Sequence, residues 1–191
     1  MGYHMNIEAF KSLGHLKQFT TNDIICTEKE EGDTAYLLLQ GMVDIVRDAH
    51  LKTPEQIARL RPGTVFGEMS LLENKPRNAS VISVTDDTVV LELTKENFLS
   101  ILNYDKEIAW NLLQTLLNRA ETGIKNCPFG SLAFVTDFKN NSFYIQIQKL
   151  SCEQFYEIIA HDGEYALKLL KFLSSTVARL NEDAHQRRIK H

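Results

Sequence analysis

Between Arg61 and Val81 the chain reads Arg61-Pro62-Gly63-Thr64-Val65-Phe66-Gly67-Glu68-Met69-Ser70-Leu71-Leu72-Glu73-Asn74-Lys75-Pro76-Arg77-Asn78-Ala79-Ser80-Val81. Gly67 allows the backbone to come close to a ligand. The run Glu68 to Leu72 suits a short helical turn, whose unpaired N–H groups and positive dipole end favour an anion. Glu68 sets an acceptor carboxylate at the mouth of that turn. Nine residues on, Arg77 follows the φ-restricting Pro76 and precedes a strand-like run, so a planar cationic fork stands on a rigid element. Such a fork matches phosphate oxygens. These parts suit a phosphate ligand that also offers a free hydroxyl.

Outward from this stretch the sequence is a succession of short β-rich runs: Asp23–Cys26, Ala35–Leu39, Met42–Val46, Gln56–Leu60, Val65–Phe66, Ala79–Val84 and Thr88–Leu93. Turn residues separate them at Glu31-Gly32-Asp33, Gln40-Gly41, Lys52-Thr53-Pro54, Arg61-Pro62-Gly63 and Thr85-Asp86-Asp87. Short strands at this spacing predict a barrel or sandwich. Upstream, Ile7, Phe10, Leu13 and Leu16 recur every three residues and predict an amphipathic helix over Asn6–Leu16. Downstream, Thr94 and Asp105 are N-cap signals for two helices. Their apolar faces are Phe98, Ile101, Leu102 and then Ile108, Leu112, Leu113, Leu116, Leu117.

The run Phe66-Gly67-Glu68-Met69-Ser70-Leu71-Leu72 with Pro76-Arg77-Asn78-Ala79-Ser80 resembles the phosphate-binding cassette of the cyclic-nucleotide-binding domain family. That family includes regulatory subunits of cyclic-AMP-dependent kinase, cyclic-nucleotide-gated channels and bacterial catabolite activators. Gly32-Asp33, the Tyr36–Gly41 run and the Leu93–Phe98 transition resemble it too, over roughly residues 20 to 121. The resemblance implies a mainly β fold with helices: a double-stranded β-helix, or jelly-roll, barrel flanked by an N-terminal helix and C-terminal helices. It implies that Glu68 accepts from the ribose 2′-hydroxyl, and that the Met69 and Ser70 amides and the Arg77 side chain hold the phosphate. Ser80 would add a polar contact, with Phe66, Gly67, Asn78 and Ala79 completing the ligand-binding set. Trp110 or a neighbouring leucine is the candidate to cover the base. Asn78 departs from the Ala common after this Arg in cyclic-AMP binders and from the Thr of many cyclic-GMP binders. The ligand is therefore left as cAMP or cGMP.

Ten positions between Leu93 and Leu116 recur 57 residues later, from Leu150 to Leu173, among them Phe98 as Phe155, Asp105 as Asp162 and Leu113 as Leu170. This predicts a truncated second copy, with domains at 6–122 and 123–191. The alternating apolar residues at Phe134–Val135 and Phe143–Ile147, around Lys139-Asn140-Asn141, predict a β-hairpin ahead of the copied helix pair. Phe129-Gly130-Ser131-Leu132-Ala133 faintly resembles the start of a second cassette, but there is no Arg at all from Ala120 to Ala178, so one site per chain is expected.

The net charge of -4 and pI near 5.9 argue against a nucleic-acid partner. The candidate helix-turn-helix at Ala160–Gly163 continues into Glu164-Tyr165-Ala166-Leu167, which is no base-reading face. Cys26, Cys127 and Cys152 show no CxxC pair, and there is no His between His50 and His161 for a cupin-type metal site. No enzyme activity and no cofactor or metal are expected. With no signal-peptide pattern and no apolar run of membrane-spanning length, the expected location is cytoplasmic, away from membranes. The function expected is a sensor or regulatory protein whose ligand capture moves C-terminal helices, with a homodimer or protein partner held through those helices. The alternatives are a degenerate module with an internal Glu68–Arg77 ion pair acting as a protein-interaction scaffold, and a DNA-binding regulator of the catabolite-activator type.

Overall fold

The computed structural model describes residues 11–125 and 137–189. By compactness the chain divides after Tyr104 into two units.

The first unit carries eight strands: β1 (His15–Phe19), β2 (Ile24–Cys26), β3 (Ala35–Gln40), β4 (Val43–Arg47), β5 (Glu55–Leu60), β6 (Val65–Phe66), β7 (Ser80–Ser83) and β8 (Thr88–Leu93). They form two four-stranded antiparallel sheets, in the orders β1-β8-β3-β6 and β2-β7-β4-β5. Tyr36, Leu38, Phe66 and Val90 of the first sheet and Cys26, Val43, Leu60 and Val81 of the second share one apolar core. The period-2 alternation of strands produces this: Tyr36 and Leu38 turn to one side of β3, while Ala35, Leu37 and Leu39 turn to the other. Both sides of β3 are buried, which is why its sequence is a continuous apolar run rather than an alternating one. The short helix α1 (Glu68–Glu73) packs against β3.

Helix α2 (Lys95–Tyr104) begins after Thr94, whose Oγ1 accepts from the Asn97 amide at 3.3 Å, and buries Phe98, Ile101 and Leu102. Fully burying side chains of this size contributes about 1.5–3 kcal/mol each.

The expected N-terminal helix is corrected where the structure describes it. Lys11–Leu13 form one 3₁₀ turn, and Leu16 lies in β1; residues 6–10 lie outside the described ones. The backbone of His15–Phe19 pairs along its whole length with β8, and ladder bonds outweigh a three-residue apolar spacing in which Leu16 was the last member.

The second unit contains α3 (Lys106–Lys125), α4 (Ser142–Lys149), α5 (Cys152–His161) and α6 (Gly163–Ile189). Asp105 Oδ1 accepts from the amides of Glu107 and Ile108 at 3.0 and 3.1 Å, capping α3 as its position predicts. Ser151 and Gln154 form a reciprocal capping box at the start of α5. Helix α3 packs along α6 and α5, with Leu112, Leu113, Leu116 and Ala120 buried on its inner face.

The β-hairpin expected around Lys139-Asn140-Asn141 is not formed by its described half, because Ser142–Lys149 is helical. Phe134 and Val135 lie outside the described residues. Along Phe143–Ile147 the apolar alternation is real. Yet Tyr144 and Ile147 are the buried pair and Ile145 is exposed, which is the three-residue spacing of a helix face. Packing of Tyr144 on Phe138, with ring centroids 4.3 Å apart, selects the helix.

Candidate functional site

Two loops and one strand converge on Arg77. Its backbone is fixed first. The Arg77 amide donates to the Glu30 carbonyl, and the Lys29 amide donates to the Arg77 carbonyl, both at 2.8 Å. Three residues on, the Ser80 hydroxyl accepts from the Glu28 amide at 3.0 Å. The 27–34 loop is thus stitched to the segment that enters β7, and the base of the Arg77 side chain cannot wander.

The guanidinium then lies in a slot. Its Nη1 donates to the Gly67 carbonyl at 2.8 Å and its Nη2 to Thr34 Oγ1 at 3.0 Å. Its carbon stands 5.6 Å from the centre of the Tyr36 ring, a cation–π contact, and Tyr36 itself stacks on Phe66 with centroids 5.2 Å apart. Two glycines leave room for it. A Cβ on Gly67 would come within 2.6 Å of Arg77 Nη1, and one on Gly32 within 2.7 Å of Arg77 Nε. Gly67 also adopts φ 73°, a left-handed conformation that glycine takes at no steric cost. The side chain is 6% exposed, yet among the described residues only two of the five guanidinium N–H donors are used.

Gly67 is also the N-cap of α1, and Glu68 is its first residue, 1% exposed. The Gly67 carbonyl therefore ties the Arg77 fork to the same turn that carries the buried carboxylate and the Met69 and Ser70 amides. Ser70 is buried, with its Cβ 2.7 Å from the position a Gly32 Cβ would take. Charge is concentrated here enough to be felt by a neighbour: burial pushes the Cys26 thiol above its ordinary pKa, while Arg77 pulls it back down.

Of the residues singled out from sequence, Phe66, Gly67, Glu68, Ser70 and Arg77 are brought together around this slot. Met69 is half-buried, Ala79 is partly buried, and Asn78 is exposed. Ser80 is buried and holds the 27–34 loop through the Glu28 amide. Trp110 lies in the helical unit, its ring centroid 5.7 Å from that of Phe155. The second, fainter cassette at Phe129–Ala133 lies outside the described residues. Sequence reasoning missed Thr34 and the side-chain role of Tyr36. Gly32 was the available signal, since a glycine at that turn marks a close approach whose partner only the fold reveals.

The family model of the cyclic nucleotide-binding domain matches residues 16–105. The chain is 39% identical over 89 residues to the cyclic AMP receptor protein of Thermus thermophilus, covering 46% of this chain and 40% of that one. It is 36% identical over 81 residues to the cAMP-dependent protein kinase regulatory subunit of Schizosaccharomyces pombe, covering 37% and 20%. The chain thus spans less than half the length of these curated relatives. Among solved structures, the catabolite activator protein of Thermus thermophilus superposes with a TM-score of 0.53 at 22% identity, covering 95% of this chain and 83% of that one, which speaks to the fold alone. Among the described residues, no helix is long and apolar enough to cross a membrane.

Proposed function

We propose, from the premise that residues 16–105 belong to the cyclic nucleotide-binding domain family, that this protein is a sensor or regulatory protein that captures cAMP or cGMP at the Arg77 slot. Arg77 and the Met69 and Ser70 amides take the cyclic phosphate, and Glu68 accepts from the ribose 2′-hydroxyl. The observation that carries this reading is the Arg77 guanidinium, buried between two glycines and tied to the turn that holds Glu68, with N–H donors to spare. Donors left unused beside the turn that carries Glu68 are available to an anionic ligand. Asn78, exposed beside the slot, has a donor and an acceptor for either base.

The output is conformational rather than catalytic. The helical unit starts at Asp105, where the matched segment ends; in this reading ligand capture in the barrel moves these helices, through which a second copy or another protein is engaged. The jelly-roll reading of the two sheets belongs to the same proposal, as do a binding domain at 6–122 and a truncated second copy at 123–191. Supporting the copy, α2 (Lys95–Tyr104) and α5 (Cys152–His161) match end for end at the repeat offset, and Phe98 and Phe155, like Leu116 and Leu173, are fully buried. A cytoplasmic location belongs to the same proposal.

Equilibrium dialysis against cAMP, cGMP and 5′-AMP tests the assignment. Capture of a cyclic nucleotide in preference to the open monophosphate is expected. Equal uptake of all three, or of none, would sink it.

A further inference from the structure

Thr34 Oγ1, which accepts from Arg77 Nη2, is itself 3.3 Å from the Tyr36 hydroxyl. The Tyr36 hydroxyl lies 3.2 Å from Glu92 Oε1, and the same carboxylate oxygen accepts from Lys17 Nζ at 2.6 Å. Strand register assembles this chain. Tyr36 of β3 stands directly opposite Glu92 of β8, and Lys17 of β1 stands opposite Val90, two residues along β8 from Glu92 and so on the same face. The chain leads from the buried guanidinium to the outer strand of the first sheet.

Its direction is fixed by chemistry. An ionised carboxylate only accepts hydrogen bonds, and Glu92 already accepts one from Lys17 Nζ. Tyr36 must then donate to Glu92, which leaves its oxygen to accept the Thr34 proton. Thr34 in turn presents lone pairs, not its proton, to Arg77. Were Tyr36 to donate to Thr34 instead, the Thr34 proton would lose this acceptor. We propose that Thr34, Tyr36, Glu92 and Lys17 are positioning residues for the phosphate-binding guanidinium, holding one edge of Arg77 so that its unused donors face the ligand. The inference rests on the ligand reading given under the proposed function. None of the four needs to touch the nucleotide.

The test compares Thr34→Val, which keeps shape and removes the hydroxyl, with Thr34→Ser, which restores it, and with Glu92→Gln, whose amide can donate to Tyr36 and turn the chain round. Affinity for cAMP and cGMP is measured by titration, and the side-chain ¹⁵N–¹H signals of Arg77 are recorded without ligand. Thr34→Val and Glu92→Gln should each weaken binding about tenfold and shift the Arg77 signals, because each spoils a hydrogen bond to a charged group. Thr34→Ser should stay within about threefold of the native protein by the same arithmetic. Unmoved Arg77 signals in Thr34→Val and Glu92→Gln would overturn the proposal whatever the affinities do. Native protein that binds nucleotide, with both variants binding equally well, would overturn it while sparing the ligand reading. Native protein that binds neither nucleotide would remove both.

Discussion

Arg77 Nη1 donates to the carbonyl of Gly67 at 2.8 Å, and that carbonyl belongs to the left-handed residue from which α1 departs. One hydrogen bond thus sets the distance between the cationic fork and the turn bearing Glu68. On the Gly67 side the slot is built from backbone, and its contents are a planar side chain that needs little further ordering to bind.

The glycine at the centre of this arrangement gives the first prediction. Gly67→Ala should lower the urea-unfolding free energy by at least about 1 kcal/mol, from the left-handed backbone alone. It should also displace Arg77, whose Nη1 stands 2.6 Å from the new Cβ. Gly32→Ala, whose new Cβ meets the Nε edge at 2.7 Å, should cost affinity more than stability, since a side chain can yield where a backbone cannot. Unfolding and binding curves that match the native protein for both variants would refute the slot.

Glu68 makes a different claim, about the sugar. Its carboxylate is 1% exposed at the start of α1, and a hydrogen bond to a charged acceptor contributes about 1.5–3 kcal/mol. Competition binding should therefore rank 2′-deoxy cyclic AMP about tenfold or more below cyclic AMP. Glu68→Gln should shrink that gap. An unchanged gap in the variant would remove Glu68 from the ribose.

Much of this was legible in advance, for reasons that differ from element to element. The strands that carry the site were readable because turn residues such as Gln40-Gly41 and Arg61-Pro62-Gly63 punctuate them. The Asp105 cap could be placed from one side chain because its bonding is local. Strand β1 was not readable: it is an edge strand, largely exposed and carrying Lys17, so it lacks the alternation that marks a buried strand. Phe143–Ile147 misled for the opposite reason, since its local alternation is strong and packing on Phe138 overrides it. Of the site, the residues within the cassette could be read from spacing. Thr34 could not, because nothing local distinguishes a loop threonine that meets an arginine 43 positions later.

The helical unit has its own pH signature. Its hydrogen bond to Cys152, then burial and the nearby charges of Glu107 and Asp105, push the Tyr156 hydroxyl up to about 12. A folded pKa above the unfolded value of about 10 means that the protonated phenol stabilises the fold below about pH 10. That contribution is lost as the pH climbs toward 12. Denaturation midpoints should fall across this window, and Tyr156→Phe should flatten the fall. A native profile already flat between pH 10 and 12 would contradict the assignment.

Phe155 is fully buried in the same unit, 5.7 Å from the ring of Trp110, the chain's single tryptophan. Phe155→Ala should cost about 3–5 kcal/mol and change the intensity of Trp110 fluorescence in the folded state. An unaltered emission spectrum with native stability would show that α3 and α5 do not pack as described.

The central claim is that Arg77 holds the phosphate of a cyclic nucleotide, and isothermal titration of the native protein and Arg77→Ala with cAMP and cGMP tests it most directly. Binding of at least one nucleotide at micromolar affinity or better is predicted, weakened at least about tenfold in Arg77→Ala, since that change removes charge-assisted hydrogen bonds. Equal affinity in the two proteins, or no heat from either nucleotide with the native protein, would contradict it.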